Sequence, residues 1–162
     1  MILQIYTLIH VLISLIGIVA GFVVAYGLVT AERLPGVTRL FLIMTVLTSV
    51  TGFFFPVHHF MPSHAVGIVS LIVLAIGIFA YYRGRLIGFW RPTYVVTALI
   101  AQWLNVFVLV VQLFEKVPAL HSLAPTQTEP PFKISQLTVL LLFVVLGVLS
   151  LIRFRPAPLP MN

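Results

Sequence analysis

Five long apolar segments, separated by short connections that hold most of the charge, dominate the pattern of this chain. They cover residues 4–30, 39–55, 64–82, 93–114 and 134–152. A helix of about 20 apolar residues is long enough to cross the hydrocarbon core of a bilayer. The pattern therefore predicts an all-α integral membrane protein, a five-helix transmembrane bundle. We expect a single domain over residues 1–155 and a Pro-rich tail over residues 156–162.

The composition supports a membrane location and excludes several classes of chemistry. Hydrophobic residues make up 61% of the chain and charged residues 7%, which is too apolar for a soluble domain of this size. The chain contains no Cys, so disulfides, thiolate metal sites and covalently attached c-type haem are excluded. It also contains no Asp, no phosphate-binding loop and no dinucleotide fingerprint, which argues against a hydrolase triad and nucleotide chemistry.

The basic residues are divided unequally between the two sides of the predicted bundle. The connections after the first and third segments and the end of the fifth carry all seven arginines: Arg33, Arg39, Arg83, Arg85, Arg91, Arg153 and Arg155. Only Lys116 and Lys133 lie on the other side. Because cytoplasmic connections are enriched in Lys and Arg, this predicts an N-terminus outside and a cytoplasmic C-terminus. The net charge of +6 is scattered, so we expect contact with lipid and no nucleic-acid binding.

Two stretches bear on where the protein resides. Residues 118–121 and 124–132 resemble segments of small bacterial membrane proteins, and this resemblance implies no activity. We expect a multi-pass protein of a bacterial-type inner, or cytoplasmic, membrane. Trp90, Phe89, Tyr81 and Tyr82 are expected to anchor its inner interface.

With this topology all five histidines fall on the outer side of the membrane. They are His10, His58, His59, His64 and His121, and the other potential ligands on that side are Met61, Glu115 and Glu129. Imidazole with a thioether suits copper, and imidazole with a carboxylate suits zinc or iron. Two imidazoles on facing helices could instead hold a b-type haem. The leading hypothesis is a metal or haem site that serves redox chemistry or metal handling.

His10, His59 and His64 are the central candidates for this site. His10 shares a helix face with Ser14 and Gly17, so we expect it to face protein rather than lipid. His59 lies two helical turns beyond Gly52 and is expected on the same inward side. The supporting candidates are His58, Met61 and Glu115. A simple helix-to-helix hydrogen bond is the competing interpretation of His10, and an interfacial ring is favoured for His58 and His121.

Two other functions fit the same sequence. A non-catalytic accessory or assembly subunit of a larger membrane complex, or a homo-oligomer, would suit the small size and the Gly-rich helix faces. A small transporter could use the polar face of the fourth helix, where Asn105 and Gln112 line either a substrate path or a packing contact. The apolar, Pro-rich connection over residues 115–133 is expected to fold as a cap over these two side chains.

The predicted topology can be tested with reporter fusions. We expect a C-terminal reporter to be active only in the cytoplasm, because the arginine-rich connections are retained there. A fusion in the connection over residues 115–133 is the matched control and should behave oppositely. A C-terminal reporter active only outside the cytoplasm would contradict the topology and separate the histidines from the outer face.

Overall fold

The structure, a computed structural model, describes residues 1–56 and 62–155, with only the backbone of Pro62. This part of the chain is helical and contains no strand. The helices are α1 Ile2–Thr30, α2 Pro35–Gly52, α3 Pro62–Ile78, α4 Trp90–Lys116, α5 Pro118–Leu123 and α6 Pro130–Arg153. A π-helical turn, Phe79–Arg83, continues α3. Five helices are long and apolar enough to cross a membrane, which confirms the predicted all-α, five-span composition.

Proline and a left-handed residue define several helix boundaries. Pro35, Pro118 and Pro130 each occupy the first turn of a helix, where the missing N–H costs nothing. At the end of α1, Ala31 adopts φ 63°, and the Glu32 amide donates to the Gly27 carbonyl at 2.8 Å. This bond satisfies one of the carbonyls left free at a helix C-terminus.

Consecutive long helices run antiparallel, so the bundle has two chemically different ends. The Tyr6 hydroxyl at the start of α1 donates to the Thr51 carbonyl near the end of α2, at 2.6 Å. The corresponding contact between α4 and α6 joins Arg91 to the carbonyl of Phe154, at 2.5 Å. We call the end that carries Tyr6 and Thr51 the amino-terminal end, and the opposite end, which carries Arg33 and Arg91, the arginine end.

Helix α4 is the central element of the bundle. It packs against α1, α3 and α6, and 50% of its most apolar window is buried, against 11% for α6. The core consequently forms around Tyr94, Val95 and Ala101, which are at most 1% exposed. The remaining helices expose long apolar faces, as expected of a chain whose surroundings are lipid.

Side-chain amides at mid-bundle depth hydrogen-bond across helices. Gln102 donates to the Ile18 carbonyl at 2.8 Å, and Asn105 donates to the Thr45 hydroxyl at 3.1 Å. The first bond joins α4 to α1 and the second joins α4 to α2. Since an unpaired amide in an apolar interior is costly, both bonds stabilise one relative placement of the helices. This geometry supports the packing interpretation of Asn105.

Gly21 allows α1 and α4 to approach closely enough for Gln102 to bond to the Ile18 carbonyl. A Cβ at this position would collide with the Gln102 amide. We therefore expect Gly21→Ala to displace Gln102 and to destabilise the bundle by about 1–3 kcal/mol, through strain and loss of the bond. Thermal unfolding in detergent micelles, followed by circular dichroism, measures the effect.

Gly36→Ala is the matched control, because a Cβ there would meet nothing within 4 Å. It should be neutral or slightly stabilising, as Ala is the better helix former. Equal losses at Gly21 and Gly36 would show that the close approach of α1 and α4 does not depend on glycine.

Candidate functional site

His10 is held at the amino-terminal end between α1 and α2. Its Nδ1 atom lies 2.7 Å from the Thr51 hydroxyl, and its ring meets the Phe55 ring edge-on, with centroids 5.1 Å apart. Gly52 leaves space beside the ring, because even an added Cβ would lie 3.9 Å from the His10 Cε1 atom. The side chain therefore faces its neighbouring helix, as the helical spacing predicts.

The hydrogen-bond network around Thr51 determines which nitrogen of His10 carries the proton. The Thr51 hydroxyl has a single proton, which it donates within its own helix, to the Leu47 carbonyl at 2.6 Å. With its proton in that bond, the hydroxyl accepts from His10, and we therefore assign the proton of the neutral ring to Nδ1. The neutral ring then presents a lone pair on Nε2, and this atom makes no hydrogen bond within the described residues. An imidazole oriented in this way can act as an acceptor or a metal ligand.

His64 lies in the first turn of α3, at the same end of the bundle. Its ring stacks on Phe53, with centroids 5.6 Å apart and an interplanar angle of 17°. Gly67, one turn later, allows Phe53 to approach, since a Cβ there would lie 3.0 Å from the phenyl ring. Both described candidate histidines of this end are therefore packed against phenyl rings from the end of α2.

The other predicted ligands of the histidine-rich turn lie outside the described residues. These ligands are His58, His59 and Met61. The predicted tail over residues 156–162 also lies outside the described residues. Within the described part of the chain, no group of three or more His, Asp or Glu side chains is close enough to hold a metal ion. A site of that kind would therefore need a ligand from residues 57–61.

Glu115 and Gln112 lie on the exposed surface near the end of α4. The Glu115 carboxylate pairs with Lys116 at 2.8 Å and accepts a long bond of 3.4 Å from Gln112. The exposure of Gln112 contradicts the expectation that the following connection covers it. The physical reason is that Gln112 satisfies its amide on its own helix, one turn from Glu115, without a covering loop.

The connection after α4 nevertheless folds back against that helix. It forms α5, and the Gln127 side chain donates to the Val111 carbonyl at 3.2 Å. His121 contacts the Phe114 carbonyl through Nδ1 at 3.3 Å, which agrees with a structural role for this ring. Desolvation raises the pKa of Glu129, but hydrogen bonds from Thr126 and Thr128 outweigh it and hold the pKa below its ordinary value.

A second polar cluster, which the sequence did not reveal, lies at the arginine end. It comprises Arg33, Thr38, Tyr81 and Tyr94, which line one small cavity with Glu32. Tyr81 is 5% exposed and Tyr94 is 1% exposed, so the expectation that Tyr81 anchors the membrane interface is wrong. The π-helical turn shifts the face that α3 presents, and this turns Tyr81 inward onto Tyr94, with ring centroids 4.9 Å apart. In the sequence, the one sign of this cluster is that Tyr81 and Tyr94 lie at similar depth, at the end of the third apolar segment and the start of the fourth.

No protein-family model, curated protein or solved structure matches this chain. The function must therefore be inferred from the geometry of the chain itself.

The assignment of the His10 proton can be measured directly. In ¹⁵N-labelled protein at neutral pH, we expect His10 to show a protonated Nδ1 and an unprotonated Nε2, because the Thr51 hydroxyl donates to Leu47 and accepts from His10. Thr51→Val removes the acceptor, so the two tautomers should mix and unfolding should become easier by about 0.5–1.5 kcal/mol. Thr7→Val is the control, as the Thr7 hydroxyl bonds within its own helix, to Leu3 at 2.8 Å. An Nε2-protonated ring in the wild type would contradict the assignment.

Proposed function

We propose that this protein carries a histidine-ligated metal site at the outer face of a membrane, serving redox chemistry or metal handling. His10 is its central ligand, and the amino-terminal end of the bundle is the outer end. The observation that carries the proposal is the bond from His10 Nδ1 to Thr51, which leaves the Nε2 lone pair available. An imidazole whose other nitrogen donates to a fixed oxygen is the usual form of a metal-bound histidine.

The remaining ligands would come from the turn between α2 and α3. Phe55, which contacts His10, is two residues before this turn, and His64 follows it in the first turn of α3. Five residues span at most about 18 Å, and the described residues on either side of them, Phe55 and His64, both lie at the end of the bundle that carries His10. His59 is the second proposed ligand and Met61 the third, and His58 and His64 are further candidate ligands. A set of imidazoles with a thioether favours copper.

Glu115 is not among the ligands that we favour for this site. Its carboxylate already pairs with Lys116, and both side chains are well exposed. A zinc or iron site that depended on this carboxylate would have to break that pair. The haem alternative would need a gap for the macrocycle next to His10, where the Phe55 ring packs. These contacts favour a metal ion over haem.

The protein residues would have two roles at this site. Thr51 orients the His10 ring and keeps its proton on Nδ1, which increases the basicity of Nε2. Phe55 and Phe53 shield the two imidazoles from solvent and so lower the local dielectric. When bound, the ion would supply electron transfer or serve as cargo.

Elemental analysis and a visible absorption spectrum of the purified full chain test the proposal. We expect bound copper or zinc in the wild type and loss of the metal in His10→Ala. Thr51→Val should weaken affinity by roughly 10–100-fold, because it removes the oxygen that orients the ligand. His121→Ala is the matched control and should retain the metal, since His121 contacts the end of α4 instead. A Soret band in the absorption spectrum would show that the bound group is haem and would contradict a site for a metal ion alone.

A wild type with neither metal nor haem would overturn this function and favour the accessory-subunit alternative. One feature of α1 specifically supports that alternative. All of its buried residues lie between Gly17 and Leu28, so the amino-terminal half of the helix is largely uncovered. That half could pack against a transmembrane helix of a larger complex.

A further inference from the structure

The arginine end contains a guanidinium group with two nitrogens that lack a hydrogen-bond partner among the described residues. Arg33 lies in the short connection between α1 and α2 and is partly buried. Its Nε and Nη2 atoms are inaccessible to solvent and make no hydrogen bond within the described residues. Buried charged donors without a partner are costly, so native structures satisfy them with a counter-ion or an ordered ligand.

Hydroxyl groups surround this guanidinium. Tyr81, Tyr94 and Thr38 line the same cavity, and all three are at most 5% exposed. The first turn of α2 also borders the cavity through Leu34 and Thr38, which adds the positive end of a helix dipole. Each of these hydroxyls has a proton that it can donate to an anion beside the guanidinium.

Among the described residues, one acidic side chain lies close enough to compensate Arg33. Of the three acids of the chain, Glu115 and Glu129 lie at the other end of the bundle, which leaves Glu32. Glu32 borders the cavity but is exposed, and the structure places no ion pair between it and Arg33. The described residues therefore supply donors to the cavity without a buried anion.

We propose that Arg33, Tyr81, Tyr94 and Thr38 form a binding site for a small monovalent anion of the chloride class. The cavity has a volume of about 10 Å³, which is close to the space of a single water molecule. This volume is far too small for a phosphate ester or a lipid headgroup, so it restricts the ligand to a monatomic anion, for which the lining side chains would have to move apart. The ion would link the α1–α2 connection to the π-helical turn and to α4, and so stabilise the arginine end.

Anion-dependent unfolding of the purified full chain in detergent micelles tests this site. At constant ionic strength, chloride and bromide should raise the unfolding midpoint relative to gluconate, which is too large to enter. Arg33→Gln should weaken the apparent chloride affinity roughly tenfold or more, because it removes the charged donors. Arg39→Gln loses the same charge from exposed surface nearby and is the matched control. It should keep the affinity within about twofold.

Two further variants separate the proposal from its competitors. Arg33→Lys retains the charge and should show a weakened but measurable chloride effect, even if Arg33→Gln fails to fold. Glu32→Gln should bind chloride as well as or better than the wild type. Equal stability in chloride and gluconate would overturn the site in favour of an ordered water. A loss in Glu32→Gln as large as that in Arg33→Gln would overturn it in favour of Glu32 as the internal counter-ion.

Discussion

The high cost of an unpaired amide inside an apolar bundle organises the contacts between the helices. Lipid offers no hydrogen bonds, so Gln102 reaches the Ile18 carbonyl and Asn105 reaches Thr45. These bonds connect the central helix α4 to α1 and α2 at fixed depths. Because dispersion and apolar burial alone permit helices to slide or rotate, such directional bonds select one arrangement from many.

The two ends of the bundle meet the same constraint in different ways. At the amino-terminal end, Thr51 accepts from His10 Nδ1, so one ring nitrogen is satisfied and the other retains its lone pair. At the arginine end, Arg33 has donors for which the described chain supplies no acceptor. The free lone pair of His10 can bind a cation, and the unpaired N–H groups of Arg33 can bind an anion. About 23 residues of helix and turn separate the two, on the order of 35 Å, so the proposed sites are independent.

Several site features could not be derived from spacing along the chain. The π-helical turn at Phe79–Arg83 rotates Tyr81 into the core, although its position near a segment end is typical of an interface anchor. Gln112 shares the polar face of Asn105 in sequence, yet it is exposed and bonds locally to Glu115. In both cases the outcome depends on helix rotation, which neighbouring helices determine.

The sequence by itself determined the helical class and the five apolar spans. These properties depend on local runs of side chains, because lipid requires each spanning segment to satisfy its own backbone. The spacing of His10 with Ser14 also correctly predicted a protein-facing ring. Only the tertiary structure decided that Thr51 orients this ring and that Arg33 meets Tyr81 and Tyr94. Such contacts join residues that are far apart in the chain, and they depend on the depth and rotation at which the helices pack.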